Sequence, residues 1–157
     1  MLEPNKYLFE NSSELPNFVL QTAVASCFIQ YQDTILLLKY LSKVGKDHAW
    51  ATPGGKQEPM DLDITATLTR EVYEETKISI DRNDLCFIAK RYARVPGWDY
   101  LLYLYHLKLE TLPDIKLSNE HLAYIWTPIA NFKNHNLLKG QEEAFALFLQ
   151  QEDKKSV

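Results

Sequence analysis

Glu71, Glu74 and Glu75 stand within six residues, Arg70-Glu71-Val72-Tyr73-Glu74-Glu75. On a helix turning ~100° per residue they fall within an arc of roughly 100°, so all three carboxylates project from one side. Ile64, Leu68 and Val72 recur every fourth residue on an adjacent stripe that would dock on a core. Like charges this close repel by a few tenths of a kcal/mol per pair on an isolated helix. A divalent cation removes that conflict, and magnesium takes carboxylate and phosphate oxygens while retaining several waters. Upstream lie Pro53, Gly54, Gly55 and Lys56, after an apolar approach through Trp50 and Ala51. That order predicts a strand running into a tight turn, where Pro53 fixes one backbone angle and the glycines allow conformations or close approaches that a side chain would block. Such a turn can offer backbone groups to a phosphate or a metal. A solvated acidic helix face is the plainer reading of the glutamates alone; the glycine turn ahead of them favours magnesium held against a phosphate chain.

The same residues resemble the Nudix box, G-x5-E-x7-R-E-U-x-E-E-x-G-U with U aliphatic. Gly55 supplies its opening glycine, and Arg70, Glu71, Val72, Glu74, Glu75 and Ile78 its second half. The match departs in three ways. Fourteen residues separate Gly55 from Arg70, one more than the pattern has. The acidic position after x5 is Asp61 counted from Gly55 but Leu62 counted back from Arg70, and Asp61 is favoured. Lys77 stands where the family has its last glycine, so a helix ending there in the left-handed conformation carries a cost of ~1 kcal/mol.

The resemblance implies an α/β/α sandwich with a mixed β-sheet, and magnesium-dependent hydrolysis of a nucleoside diphosphate linked to another moiety, with manganese as an alternative ion. It makes Glu74 and Glu75 metal ligands and Glu71 either a ligand or the general base. It adds the Gly54 carbonyl as a further ligand and Arg70 as an orienter paired with a box glutamate. Glu120 is the candidate acidic ligand from outside the box, against an equal claim for an ordinary loop carboxylate, and Asp99 is a weaker candidate. Lys56 and Gly55 are candidates for phosphate contact. Tyr31, Tyr40, Tyr92, Trp98, Tyr100 and Trp126 could each stack on a base, with Tyr92 and Trp98 taken as the substrate-binding pair. A compact domain resembles members that cleave a nucleoside triphosphate, oxidised or not, to the monophosphate and pyrophosphate. ADP-ribose or a dinucleoside polyphosphate is the main alternative, to which Pro96 points weakly because it also fits a turn. A domain that binds nucleotide without cutting it is the reading from another class, disfavoured because all three glutamates are present.

The elements that must position these groups follow from periodicity. Val19 to Ile29 and Ile35 to Tyr40 read as two strands joined by a tight turn at Gln32 and Asp33. A loop over residues 42–47 precedes Trp50, and the box helix runs from about 63 to 76 with Asp61 or Asp63 as its cap. Phe87 to Val95 and Tyr100 to Leu109 read as strands around a turn at Pro96 to Asp99. His121 to Trp126 is a short strand, and Gln141 to Gln151 a helix with Ala144, Leu147 and Phe148 on its apolar side.

With 157 residues and 46% apolar content the chain is expected to form one domain over 18–152, after a polar lead-in at 1–17 and before a polar tail at 153–157. A net charge of −4 without a basic run argues against binding long nucleic acid but is compatible with a small nucleotide. Cys27 and Cys86, both within apolar runs, are expected as buried free thiols in a reducing compartment. No apolar run is long enough to span a bilayer, so a cytoplasmic location is expected, with monomer and homodimer both left open. His48, His106, His121 and His135 lack metal-ligand spacing and are read as ordinary.

Overall fold

The computed structural model describes residues 6–41 and 48–155; the loop expected over 42–47 lies outside them. The central strands are β2 (Thr22–Tyr31) and β3 (Thr34–Tyr40), joined at Gln32, whose φ is 53°. Every residue from Ala25 to Gln30 is buried, as expected of a strand covered on both faces. Around them run β1 (Leu8–Phe9), β4 (Trp50–Ala51), β5 (Gly54–Lys56), β6 (Cys86–Val95), β7 (Trp98–Leu109) and β8 (His121–Pro128), in the order β1-β6-β7-β2-β3-β4, with β5 on β2 and β8 on β3. The β2–β7 ladder is parallel and the others are antiparallel, so the sheet is mixed.

Alternation along the strands divides the interior into two cores. Cys27, Ile29, Leu36 and Leu38 face α1 (Ile64–Thr76) and meet its Leu68 and Val72. Phe28, Ile35, Leu37, Leu102 and Leu104 face α2 (Gln141–Lys155) and meet Ala144, Phe145 and Phe148. Phe28 stacks on Phe148 at 4.9 Å between centroids. The architecture is therefore the expected α/β/α sandwich.

Several local expectations need correction. The polar lead-in is fastened to the domain: Leu8 and Phe9 pair with Ala93 and Tyr92, and the Glu143 carboxylate accepts the Tyr7 and Leu8 N–H groups at 2.8 and 2.9 Å. Leu8 and Phe9 hid this because a strand of two residues is too short to show a period and is followed by polar residues. The last helix runs through residues 153–155 of the expected tail. Cys27 is buried, but Cys86 is exposed at the head of β6; both are free. The 96–99 turn is shorter than expected, for Val95 pairs directly with Trp98, leaving Pro96 and Gly97 (φ 77°) as the turn residues.

The box helix starts where Asp63 accepts the Ala66 N–H at 2.8 Å. It ends on Lys77 at φ 66°, with the Lys77 N–H donated to the Tyr73 carbonyl at 2.9 Å. Lys77→Gly should relieve the left-handed strain, while losing the contact of Lys77 Nζ with the Tyr73 ring at 4.9 Å and loosening the unfolded chain. The net gain is expected at about 0.5 kcal/mol. A thermal melt checks it; a lower midpoint for the glycine variant would contradict the strain argument.

Candidate active site

The two glycines upstream of the helix do not form a turn. They lie in β5, where Gly54 pairs with Ser26 and Gly55 with Ala25, and neither has a positive φ. Their lack of a side chain serves close approach instead. A Cβ on Gly54 would collide with the Ala25 carbonyl and come within 2.8 Å of Ser26 Cα, whereas a Cβ on Gly55 would meet the Glu71 carboxyl group, 2.6 Å from Oε1. One glycine lets β5 join the sheet, and the other lets α1 lay a carboxylate on it.

Arg70 organises the acidic face. Its Nε and Nη2 donate to Asp61 Oδ1 and Oδ2 at 3.0 and 2.9 Å, a bidentate pair. Nη1 donates to Glu71 Oε1 at 2.9 Å and lies 3.4 Å from Glu74, while Nη2 also reaches the Lys56 carbonyl at 3.1 Å. The expected pairing with a box glutamate is thus present, with Asp61 as an additional partner. Asp61 also accepts the Glu58 N–H and the Thr67 hydroxyl at 2.8 and 2.9 Å. Held by Arg70 first, and by these donors, its carboxyl stays well below the usual range. The helix cap is Asp63, and Leu62, between it and Asp61, is 90% exposed.

The three glutamates occupy different environments. Glu74 is exposed, Glu71 half-buried and Glu75 buried. Desolvation, together with the charges of Glu75 and Glu74 and against the Arg70 hydrogen bond, pushes Glu71 up to about 7 from an ordinary 4.5. Glu75 Oε1 accepts the Gly54 N–H at 2.9 Å; Oε2 accepts the Tyr40 hydroxyl at 3.3 Å and lies 3.2 Å from His121 Nε2. Burial first, then the adjacent Glu75, holds Tyr40 well above its usual value, with smaller contributions from Glu71 and Glu120. Sequence reasoning missed both groups: it read Tyr40 as a base stacker and His121 as ordinary. The available signal was adjacency, since His121 follows the candidate Glu120 and opens β8.

A cavity of about 190 Å³ adjoins β5 on the α2 face, lined among others by Ser26, Thr52, Tyr100, Leu102 and Gln141. Beside it Trp98 stacks on Tyr100 at 4.4 Å, and Lys56 Nζ lies 4.5 Å above the Trp98 ring. Gly55 thus lies against Glu71 and the Lys56 carbonyl on Arg70, while Trp98 is joined to them only through Lys56 Nζ. Tyr92 packs elsewhere: its ring lies edge-on against Phe18 at 5.3 Å, because β6 there is covered by the N-terminal segment. Asp99 is likewise consumed, bound to Arg94 at 2.6 and 3.0 Å and accepting the Val19 N–H at 2.8 Å. Glu120 is exposed at the turn before β8, its carbonyl accepting the Leu41 N–H.

A family model described as the NUDIX domain matches residues 20–148. The chain belongs to the Nudix family. Similar solved Nudix structures include the MutT protein of Methanosarcina mazei Go1, 21% identical with a TM-score of 0.71, covering 83% of this chain and 94% of that one. A C. elegans Ap4A hydrolase binary complex is 19% identical with a TM-score of 0.69, covering 85% and 99%. A bifunctional NMN adenylyltransferase/ADP ribose pyrophosphatase of Francisella tularensis, complexed with AMP and a Mn ion, is 21% identical with a TM-score of 0.68, covering 88% of this chain and 44% of that one. No curated protein sequence matches.

Nudix proteins generally use divalent metal ions, and the donor chemistry here fits one. The carboxylate oxygens are hard donors, and Glu71, raised first by burial and then by the charges of Glu75 and Glu74, is a carboxylate whose ionised form a cation would stabilise. Among the described residues no group of three or more acidic, histidine or cysteine side chains closes around an ion by itself. Mg²⁺ commonly takes one or two carboxylates beside phosphate and water.

The raised Glu71 value has a measurable consequence in metal-free protein. Between about pH 4.5 and 7 the folded state holds the Glu71 proton more tightly than the unfolded chain does, so this group makes stability fall as pH rises through that window. Thermal melts in chelator should show a downward contribution there, relieved by added Mg²⁺ most strongly at the upper end.

Proposed function

We propose that this Nudix protein hydrolyses a phosphoric anhydride bond in a small nucleotide with Mg²⁺, most simply a nucleoside triphosphate, oxidised or not, to the monophosphate and pyrophosphate. The observation that carries this reading is the meeting of two box carboxylates with β5, Glu71 against Gly55 and Glu75 on the Gly54 N–H, with Glu74 beside them on Arg70. Glu74 and Glu75, with the Gly54 carbonyl and Glu120, would hold the cation, which when bound neutralises phosphate charge and acidifies water. Glu71, half-buried and fixed by Arg70, would accept the proton as the water oxygen forms its bond to phosphorus and the anhydride P–O bond breaks. Lys56 would meet a phosphate, and the Trp98–Tyr100 stack would flank the nucleoside.

The second substrate reading is ADP-ribose or a dinucleoside polyphosphate, kept open by the breadth of ligands among the similar structures. A nucleotide binder without activity is disfavoured because the carboxylates and their orienting arginine are all in place. No helix among the described residues is long and apolar enough to cross a membrane; a cytoplasmic setting and a monomer or homodimer belong to the same proposal. The test is release of phosphate and pyrophosphate from nucleoside triphosphates, oxidised nucleotides, ADP-ribose and dinucleoside polyphosphates, with and without Mg²⁺. Magnesium-dependent cleavage identifies the substrate class. Nucleotide binding without cleavage of any substrate would replace the hydrolase reading with the binder.

A further inference from the structure

Glu75 is the point where four parts of the fold meet. Its backbone belongs to the last turn of α1, its carboxylate accepts the Gly54 N–H from β5 and the Tyr40 hydroxyl from the end of β3, and it lies 3.2 Å from the His121 ring at the start of β8. The same helix end is stitched to the 116–121 segment, whose Lys116 and Ser118 N–H groups donate to the Thr76 and Glu75 carbonyls at 3.0 and 3.3 Å. Only 4% of Glu75 is exposed. A carboxylate on three rotatable bonds is thereby held in one orientation, with little rotamer freedom left to lose when it takes a ligand.

Ser118 Oγ accepts the Glu120 N–H at 3.4 Å and pairs with His121 Nδ1 at 3.2 Å, so Nε2 is the His121 ring nitrogen that faces Glu75. The His121 side chain is fully buried, its ring meets Tyr40 edge-on at 4.4 Å, and its Nε2 has no formed hydrogen bond; the 3.2 Å approach to Oε2 is too bent to count as one. Buried polar groups are rarely left in that state. A small rotation of Glu75 completes the bond.

Building on the hydrolase reading above, we propose that Tyr40 and His121 are positioning residues that orient the Glu75 carboxylate for the metal ion. Such outer partners fix the direction of a ligand's remaining lone pairs, and their loss commonly costs 10–100-fold in metal affinity or activity. Gly54 joins them through its N–H, a contact that no side-chain substitution can remove, so Tyr40 and His121 are the testable members.

The experiment measures Mn²⁺ binding to metal-free protein by electron paramagnetic resonance, alongside kcat and KM, for wild type, Tyr40→Phe, His121→Phe and His121→Gln. Melts in chelator confirm folding, and Tyr40→Phe, which loses one oxygen, guards against a His121 variant that does not fold. Tyr40→Phe and His121→Phe are expected to weaken Mn²⁺ binding and to lower kcat by about tenfold or more, with a smaller change in nucleotide KM. His121→Gln, which returns an N–H close to the Nε2 position, should recover most of the loss. Folded variants that bind Mn²⁺ like wild type overturn the proposal, as does a His121→Gln protein no better than His121→Phe, which would reduce the histidine to packing. Wild type that binds no Mn²⁺ overturns the metal-dependent reading itself, whereas wild-type binding with unaffected variants overturns only the positioning role.

Discussion

Glu71→Gln is expected to lower turnover by about 10²–10⁴-fold, the usual contribution of a positioned general base, while making the metal-free protein more stable. The amide retains an oxygen for Arg70 Nη1, which now donates to Glu71 Oε1 at 2.9 Å, and occupies nearly the same volume beside Gly55. What disappears is a charge that burial and two neighbouring glutamates disfavour strongly enough to hold the group near 7. At pH 8 in chelator the variant should be the more stable protein, and its stability should lose the downward contribution between pH 4.5 and 7. Opposite signs on stability and activity are the signature of a group kept for function against the preference of the fold. Kinetics at saturating substrate with Mg²⁺, paired with chelator melts, checks both halves. A variant that keeps wild-type kcat would remove Glu71 from the chemistry.

The second large effect is structural. Gly54→Ala should destabilise the domain by about 2–3 kcal/mol, because the added carbon meets the Ala25 carbonyl and Ser26 Cα, backbone atoms of a fully buried strand that cannot step aside. For a chain of this length the melting midpoint should fall by about 5–10 °C. Gly55→Ala presents the contrast, since its new carbon meets only the end of the Glu71 side chain. It should melt closer to wild type yet lose activity, through displacement of the carboxylate from β5. Similar melting temperatures for the two alanine variants would show that the backbone approach at Gly54 is less tight than the geometry requires.

What was legible in the sequence followed strong local signals. The periodic Ile64, Leu68 and Val72 placed α1 and its acidic face, the unbroken apolar runs placed β2 and β3, and Pro96-Gly97 placed a hairpin. The glycines were read correctly as sites of close approach and incorrectly as a turn, because sequence shows that a side chain is absent but not which neighbour would have struck it. Tyr92 and Asp99 were drawn toward the site by residue type alone. Each has a partner far away in sequence, Phe18 and Val19 respectively, that only the folded N-terminal segment supplies. Tyr40 and His121 escaped notice for the same reason: 81 positions separate them along the chain, and they meet only when β3 pairs with β8.

The parallel ladder between β2 and β7 has a kinetic meaning. It joins Thr22 through Tyr31 to Tyr100 through Leu109, so the most deeply buried strand waits for a partner synthesised far behind it, and the intervening loop must close before any of those contacts form. Until then Ala25 to Ile29, apolar on both sides apart from Ser26, has no complete shelter, and the nascent chain exposes a strand whose edges invite pairing with other chains. The α1 helix and its cap at Asp63 depend only on nearby residues and can form early, but Gly54 docks on the unfinished strand. Assembly of the carboxylate face is thus tied to a long-range event in the topology.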